Sequence, residues 1–211
     1  MKKLVVLFFV LAAPAAAQQR IWNFDRDAAG EAPGGFASEL TGQGTKGTWE
    51  VRPDSSAPSK PNVLAQTSTD STDYRFPLAI AQGTNYKDLE VRVKFKALSG
   101  KVDQAGGLIF RAKDAKNYYV VRANALENNY RLYHVTNGKR RQFAGAAFPV
   151  SASQWHELRV EAVGNKFKCY FDGQLKIEAT DDTFKDAGAV GLWTKADSVT
   201  LFDDLEVGPL P

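Results

Sequence analysis

Between Asp103 and Val135 the side chains alternate apolar and polar through three successive stretches, Gly107–Ala112, Tyr118–Ala125 and Tyr130–Val135. Polar turn clusters, AKDAKN and LENN, separate them. Successive residues of a strand point to opposite faces, so period-2 alternation bounded by turns predicts antiparallel hairpins with one face in a core. That alternation sends Leu108, Phe110, Tyr119, Val121 and Ala123 inward, and Arg111, Tyr118, Arg122, Asn124, Arg131 and Tyr133 outward. An outward set of arginines, tyrosines and an asparagine can stack on, and hydrogen-bond to, a polar ligand with ring faces.

The rest of the chain follows the same rule. Leu89–Leu98 is the cleanest half-buried strand, with Leu89, Val91, Val93, Phe95 and Ala97 opposite Glu90, Arg92, Lys94 and Lys96. Further strands are predicted at Ile21–Phe24, Trp49–Arg52, Val63–Gln66, Tyr74–Ile80, Trp155–Val163, Lys166–Phe171, Gln174–Ala179, Ala189–Lys195 and Val199–Val207. Asp172-Gly173 is a strong two-residue hairpin turn. Pro53–Asn62, with three prolines, is a surface loop. No stretch keeps a helical period. The expected fold is all-β, a two-sheet antiparallel β-sandwich occupying residues 18–211 as one domain.

Residues 1–17 have the parts of a secretory signal: Lys2 and Lys3, an apolar run from Leu4 to Ala13, and small residues at Ala15-Ala16-Ala17. Cleavage after Ala17 and export to the periplasm or the medium are expected. The run is shorter than the about 20 residues a spanning helix needs, so membrane insertion is not expected. Losing Lys2 and Lys3 from 27 basic residues leaves 25 against 24 acidic ones. Such balance argues against nucleic acid as a partner, which calls for a concentrated basic excess. Cys169 is the sole cysteine, so no internal disulfide forms and stability rests on the core.

Four segments carry a family resemblance: Gln154–Val160 (QWHELRV), Phe167–Gly173 (FKCYFDG), Ala187–Trp193 (AGAVGLW) and Phe202–Val207 (FDDLEV). Together they resemble the closing strands of concanavalin A-like lectin/glucanase domains. In particular they look like the bacterial secreted group described as laminin-G-like or 3-keto-disaccharide hydrolase-like, also labelled family 16 glycoside hydrolase. The resemblance implies a concanavalin A-like jelly roll whose partner is a carbohydrate or glycoside. It also implies a test, because family 16 enzymes present Glu-x-Asp-x-x-Glu on one strand, holding two carboxylates at a retaining separation of about 5 to 5.5 Å. No such run occurs here; Asp181-Asp182 and Asp203-Asp204-Leu205-Glu206 have other spacings.

The expected function is therefore an exported, non-catalytic carbohydrate-binding or glycan-associated domain. One alternative is a glycoside hydrolase similar to 3-keto-disaccharide hydrolases, drawing on Asp103, Gln104, Arg111, Arg122, Glu127 and Lys195. Another is a structural or protein-binding module of laminin-G type. The expected ligand-binding face comprises Arg111, Tyr118, Arg122, Asn124, Trp193 and Lys195, with Trp193 as an open platform for a sugar ring; the competing reading is a solvated sheet face of long side chains. Asp25 and Asp27 follow the first strand while Asp203 and Asp204 lie in the last, and such strands commonly neighbour each other. Asp25 and Asp203 are thus candidate calcium ligands, in competition with ordinary turn and surface roles. His134 and His156 stand alone, without HExxH, CxxC or Gly-x-Ser-x-Gly company, and His156 reads as a satisfied core histidine.

Overall fold

The computed structural model describes residues 18–211, and the signal segment expected at 1–17 lies outside the described residues. Every regular element among them is a strand. One sheet has the order β13 (Gln174–Thr180), β12 (Lys166–Phe171), β11 (His156–Val163), β6 (Leu89–Ser99), β15 (Val199–Pro209), β4 (Asn62–Gln66), β3 (Trp49–Pro53), with β1 (Arg20–Trp22) paired to β15. The other has the order β10 (Lys139–Ala147), β9 (Asn129–Thr136), β8 (Asn117–Asn124), β7 (Ala105–Asp114), β14 (Ala189–Trp193), β5 (Arg75–Ala81), β2 (Phe36–Gly42). All pairings are antiparallel. The all-β sandwich is as the alternation predicts.

The eight-stranded sheet shows why alternation works. Along β6 the apolar set faces the other sheet and the charged set faces outward. Outside, Arg92 meets Glu206 at 2.7 Å, Lys94 meets Asp204 at 3.1 Å and Arg159 meets Glu90 at 2.9 Å. Inside, Val91, Val93 and Phe95 share a core with Leu108, Phe110, Val121 and Leu192. Each such side chain contributes about 1.5–3 kcal/mol by leaving water.

The seven-stranded sheet is buried on both faces along β7 and β8. Its outer face carries a second apolar layer that includes Phe76, Leu78, Ile109, Tyr118, Val120, Tyr133 and Trp193. The turn of the β9–β10 hairpin closes over part of this layer. Asn137 and Gly138 take the left-handed conformation that such a tight turn needs. The Tyr74 hydroxyl then donates to Gly138 O at 3.1 Å and accepts the Arg140 N–H at 2.9 Å. Latched in this way, Arg140 sets its guanidinium 4.5 Å from the Phe76 and Tyr133 ring centres and 5.6 Å from that of Trp193.

Two strands escape the sequence reading, β2 and β10. Both are sheet edges. An edge strand buries only part of one face, so FASELTG and KRRQFAGAA need no clean alternation.

Candidate functional site

The site is built on one transverse row of the seven-stranded sheet. Arg131 on β9 stands opposite Arg122 on β8, Arg122 opposite Gly107 on β7, and Gly107 opposite Trp193 on β14. A Cβ at Gly107 would lie 3.0 Å from Arg122 Cβ, 3.2 Å from Trp193 Cε3 and 2.9 Å from Val121 O, so the glycine leaves a low floor between the arginine and the indole. Gly106 serves the other face, where a Cβ would come 2.5 Å from the Phe95 ring. The Gly-Gly pair therefore reports close packing above and below one strand.

Around that floor stands a polar cluster. Arg122, almost wholly buried, donates to Asn129 Oδ1 at 2.6 Å, to Glu127 Oε2 at 2.7 Å and to the Tyr133 hydroxyl at 3.2 Å. Glu127 also accepts from Asn129 Nδ2 at 3.0 Å and has Arg131 at 3.9 Å. Burial works to raise its pKa, but the bonds from Arg122 and Asn129 outweigh it and hold the carboxyl at about 2. Glu127 is therefore ionised at neutral pH.

Asp103 enters from the Gly100–Gln104 loop, which Asp197 fixes by accepting N–H groups from Lys101 at 2.6 Å and from Val102 and Asp103 at 3.0 Å. Asp103 is fully buried, and burial pushes its pKa up against the pull of Lys195 and Arg122. Its Oδ1 accepts from Asn124 at 2.8 Å. Lys195 Nζ bridges two carboxylates, Asp103 Oδ2 at 3.1 Å and Asp73 at 2.7 Å. Burial disfavours the Lys195 charge, and the two carboxylates overcome that and raise its pKa.

Three buried donors on this face have no partner among the described residues, Arg122 Nε, Trp193 Nε1 and Arg140 Nη1, and the buried Asp103 Oδ2 has only the ion-pair contact with Lys195. Buried polar atoms are nearly always paired, so a cluster of orphans marks a place where a ligand or water completes the bonding. Beside it opens a depression of about 240 Å³ lined by Asn129, Arg131, Gln142, Gly145, Ala146 and Ala147. That is below the usual range for drug-sized ligands and suits a single ring. Two other hollows differ in kind. One of about 310 Å³ opens between edge strands at Phe36, Ser38 and Trp49, and another of about 220 Å³ lies among the ion-paired Glu90, Arg92 and Glu206.

Of the six expected ligand residues, Tyr118, Arg122, Asn124 and Trp193 do share the outer face, and Lys195 joins them through Asp103. Arg111 does not. It adopts a left-handed φ of 47° at a break in the β7–β8 register, which breaks the alternation. Its guanidinium binds Lys87 O at 2.7 Å, Phe184 O at 3.2 Å and Asp88 at 3.3 Å, at the end of the sandwich. Trp193 is not an open platform either: it is 0% exposed, stacked on Phe76 at 5.4 Å and covered by Arg140. Tyr118 is likewise buried, with its hydroxyl 2.8 Å from Thr41 Oγ1. Asn129 and Arg140 were not anticipated; the signal for Arg140 was the Asn137-Gly138 hairpin turn that carries it inward.

The expected calcium ligands have other duties. Asp25 accepts from Asn23 Nδ2 at 2.8 Å and Asn62 N at 3.2 Å, while both oxygens of the buried Asp203 accept from Ser59. No group of three or more His, Cys, Asp or Glu is placed to hold a metal ion among the described residues. His156 is satisfied by Asp172 at 2.8 Å and Ser151 O at 3.0 Å, as its strand position suggests.

A family model described as the 3-keto-alpha-glucoside-1,2-lyase-like domain matches residues 38–208. Levanase of Bacillus subtilis (strain 168) is 31% identical over 160 residues, which are 74% of this chain and 21% of levanase. The chain thus spans about a fifth of the length of that relative. Among solved structures, the carbohydrate-binding module CBM66 from Bacillus subtilis is similar with a TM-score of 0.64 and 25% identity, over 82% of this chain and 94% of the module. The β-glucanase of Bacillus licheniformis has a TM-score of 0.59 at 14% identity, over 92% of this chain and 99% of the enzyme, a likeness of fold alone. The same holds for domain 4 of AbnA, a GH43 extracellular arabinanase from Geobacillus stearothermophilus, solved with arabinotriose, at 0.58 and 16%, over 91% of this chain and 92% of that domain.

Proposed function

Because the chain belongs to the family of 3-keto-alpha-glucoside-1,2-lyase-like domains, we propose that it recognises carbohydrate without cleaving it, holding one terminal sugar ring on the outer face of the seven-stranded sheet. The observation that carries this reading is the gathering of unpartnered donors on Arg122, Trp193 and Arg140 around the buried Asp103 carboxylate, whose only cationic contact is Lys195. A sugar ring presents hydroxyls that donate and accept at fixed angles, and it can satisfy such a set. Bonds from sugar hydroxyls to charged groups are about twice as strong as neutral ones, so few are needed. The likeness to a carbohydrate-binding module over almost its whole length supports the reading.

The state of the carboxylates speaks against cleavage. Glu127, held ionised, has no proton to give a leaving group near neutral pH. Asp103 lies beneath the surface and is engaged by Asn124. The test is a glycan array with the full chain, with and without calcium, including levan because of the levanase relative. Binding confined to particular glycan ends supports the proposal; an empty array refutes it. We further propose export, for which an intact mass beginning at Gln18 is the expected result and an exported species retaining Met1 the contrary one.

One observation favours a second reading, lyase chemistry on a 3-keto-α-glucoside. Asp103 is a carboxyl of raised pKa beside the Lys195 ammonium: as carboxylate it can take the C2 proton next to the ketone while Lys195 steadies the enolate, which re-forms the ketone as the C1–O bond breaks and the leaving oxygen takes a proton from solvent. Turnover of 3-keto-α-glucosides that vanished in Asp103→Asn would establish it.

A further inference from the structure

We propose that the sugar taken by this site carries an anionic group, a carboxylate of the uronic-acid type, and that Arg140 is its anchor; this rests on the carbohydrate reading above. The charges on the face are unevenly divided. On the β8–β9–β10 side stand three guanidiniums, Arg122, Arg131 and Arg140, with Glu127 as the carboxylate that Arg122 and Arg131 share. On the β14 side the balance reverses, because Lys195 faces both Asp103 and Asp73. The depression beside Asn129 and Arg131 lies on the positive side.

Arg140 is the group left over. It forms no ion pair with any described residue, whereas Arg122 and Lys195 each meet a carboxylate within 3.1 Å. Its cation is instead laid against the faces of Phe76, Tyr133 and Trp193. Burial works against its charge and the nearby Arg122 adds to the effect, so its pKa is lowered despite the help of Tyr133. Ring faces attract a cation but supply no oxygen to its N–H groups, and Arg140 Nη1 stays without an acceptor. A planar carboxylate offers two acceptors in the spacing of the guanidinium fork. A neutral sugar bearing CH2OH at that position offers one oxygen and leaves the charge unmatched.

The backbone fixes where this anchor stands. The Tyr74 hydroxyl bonds to both Gly138 O and the Arg140 N–H, so the hairpin turn is clamped at its tip. A fixed guanidinium loses less freedom on binding than a mobile one and discriminates more sharply between ligands.

The experiment titrates the full chain by calorimetry with oligosaccharides ending in glucuronate, galacturonate or mannuronate, each beside its twin in which the carboxyl is reduced to CH2OH. At least one acidic member should bind about tenfold or more tighter than its neutral twin. The preference should shrink on going from low to high salt, a readout that needs no variant. Arg140→Gln should lower binding of the acidic member to that of its neutral twin or below, and Arg140→Lys should restore part of the preference. Equal binding of both twins overturns the anionic assignment and leaves the carbohydrate reading standing. No binding by any acidic or neutral sugar overturns both. A preference that survives in folded Arg140→Gln protein shows that Arg140 is not the anchor.

Discussion

Trp193→Ala separates the packing seen here from the open platform that strand alternation alone suggests. The indole is 0% exposed, stacks on Phe76 at 5.4 Å with a 19° tilt and lies under Arg140. Truncating a buried Trp to Ala typically costs about 3–5 kcal/mol through lost transfer energy and the cavity left behind. The lost aromatic pair accounts for about 1 kcal/mol of such a figure. For a chain of this size, about 2–4 °C of melting temperature accompanies each kcal/mol. Melting followed by circular dichroism should therefore fall by about 10 °C, and Trp193→Phe, which keeps a ring on Phe76, should lose less than half of that. A variant that melted within about 2 °C of the parent while losing ligand would refute the reasoning. It would make Trp193 an accessible platform and the Arg140 cover an error.

Asp197→Ala removes the acceptor for three backbone N–H groups of the loop that presents Asp103; stability should drop by about 2 kcal/mol in urea and glycan affinity should fall with it, and unchanged affinity would disconnect that loop from the site. Glu127→Gln keeps the shape but unbalances Arg122, so ligand affinity should fall about tenfold with only about 1 kcal/mol lost in stability; full affinity would remove Glu127 from the site. Asp203 gives a pH signature: burial pushes its carboxyl up to about 6 from 3.8 against the N–H groups of Ser59 and Asp204. A carboxyl whose pKa is higher folded than unfolded binds more protons in the folded state, so its contribution to stability falls as pH rises from about 4 to about 6. The stability of the parent minus that of Asp203→Asn should decline across that window by about 2 to 3 kcal/mol and be flat above it; a rise would reverse the assignment.

What could be read from the sequence follows from how many neighbours a strand has. β6 is a central strand with one face in the core and one in water, and its pattern declared itself. β7 and β8 could be placed as strands, but their outer face could not be judged. Exposure there depends on a hairpin turn arriving from β9–β10, fixed by one hydroxyl of Tyr74. That long-range contact turned an expected surface tryptophan into a buried one. Arg111 fails for a local reason, since a single left-handed residue breaks period-2 alternation and nothing in GLIFRA announces it. Arg122 and Asn124 keep the side that alternation gives them because the β8 pairing with β7 is regular up to Phe110. Asp103, Glu127 and Asn129 sit at strand ends and turns, where alternation assigns no face.

The most direct test uses the four tryptophans, Trp22, Trp49, Trp155 and Trp193, as position markers. Trp193 lies on the proposed face, Trp49 lines the hollow between the sheet edges, Trp155 bonds to Ser56 at 3.1 Å, and Trp22 packs on Phe36 at 5.6 Å. Their indole N–H signals can be followed by nitrogen-15 NMR while the best glycan from the array is titrated into the full chain. The account predicts that the Trp193 Nε1 signal shifts in a saturable way while the other three hold. A saturable shift of Trp49 with Trp193 unmoved would place the ligand between the sheet edges and contradict it.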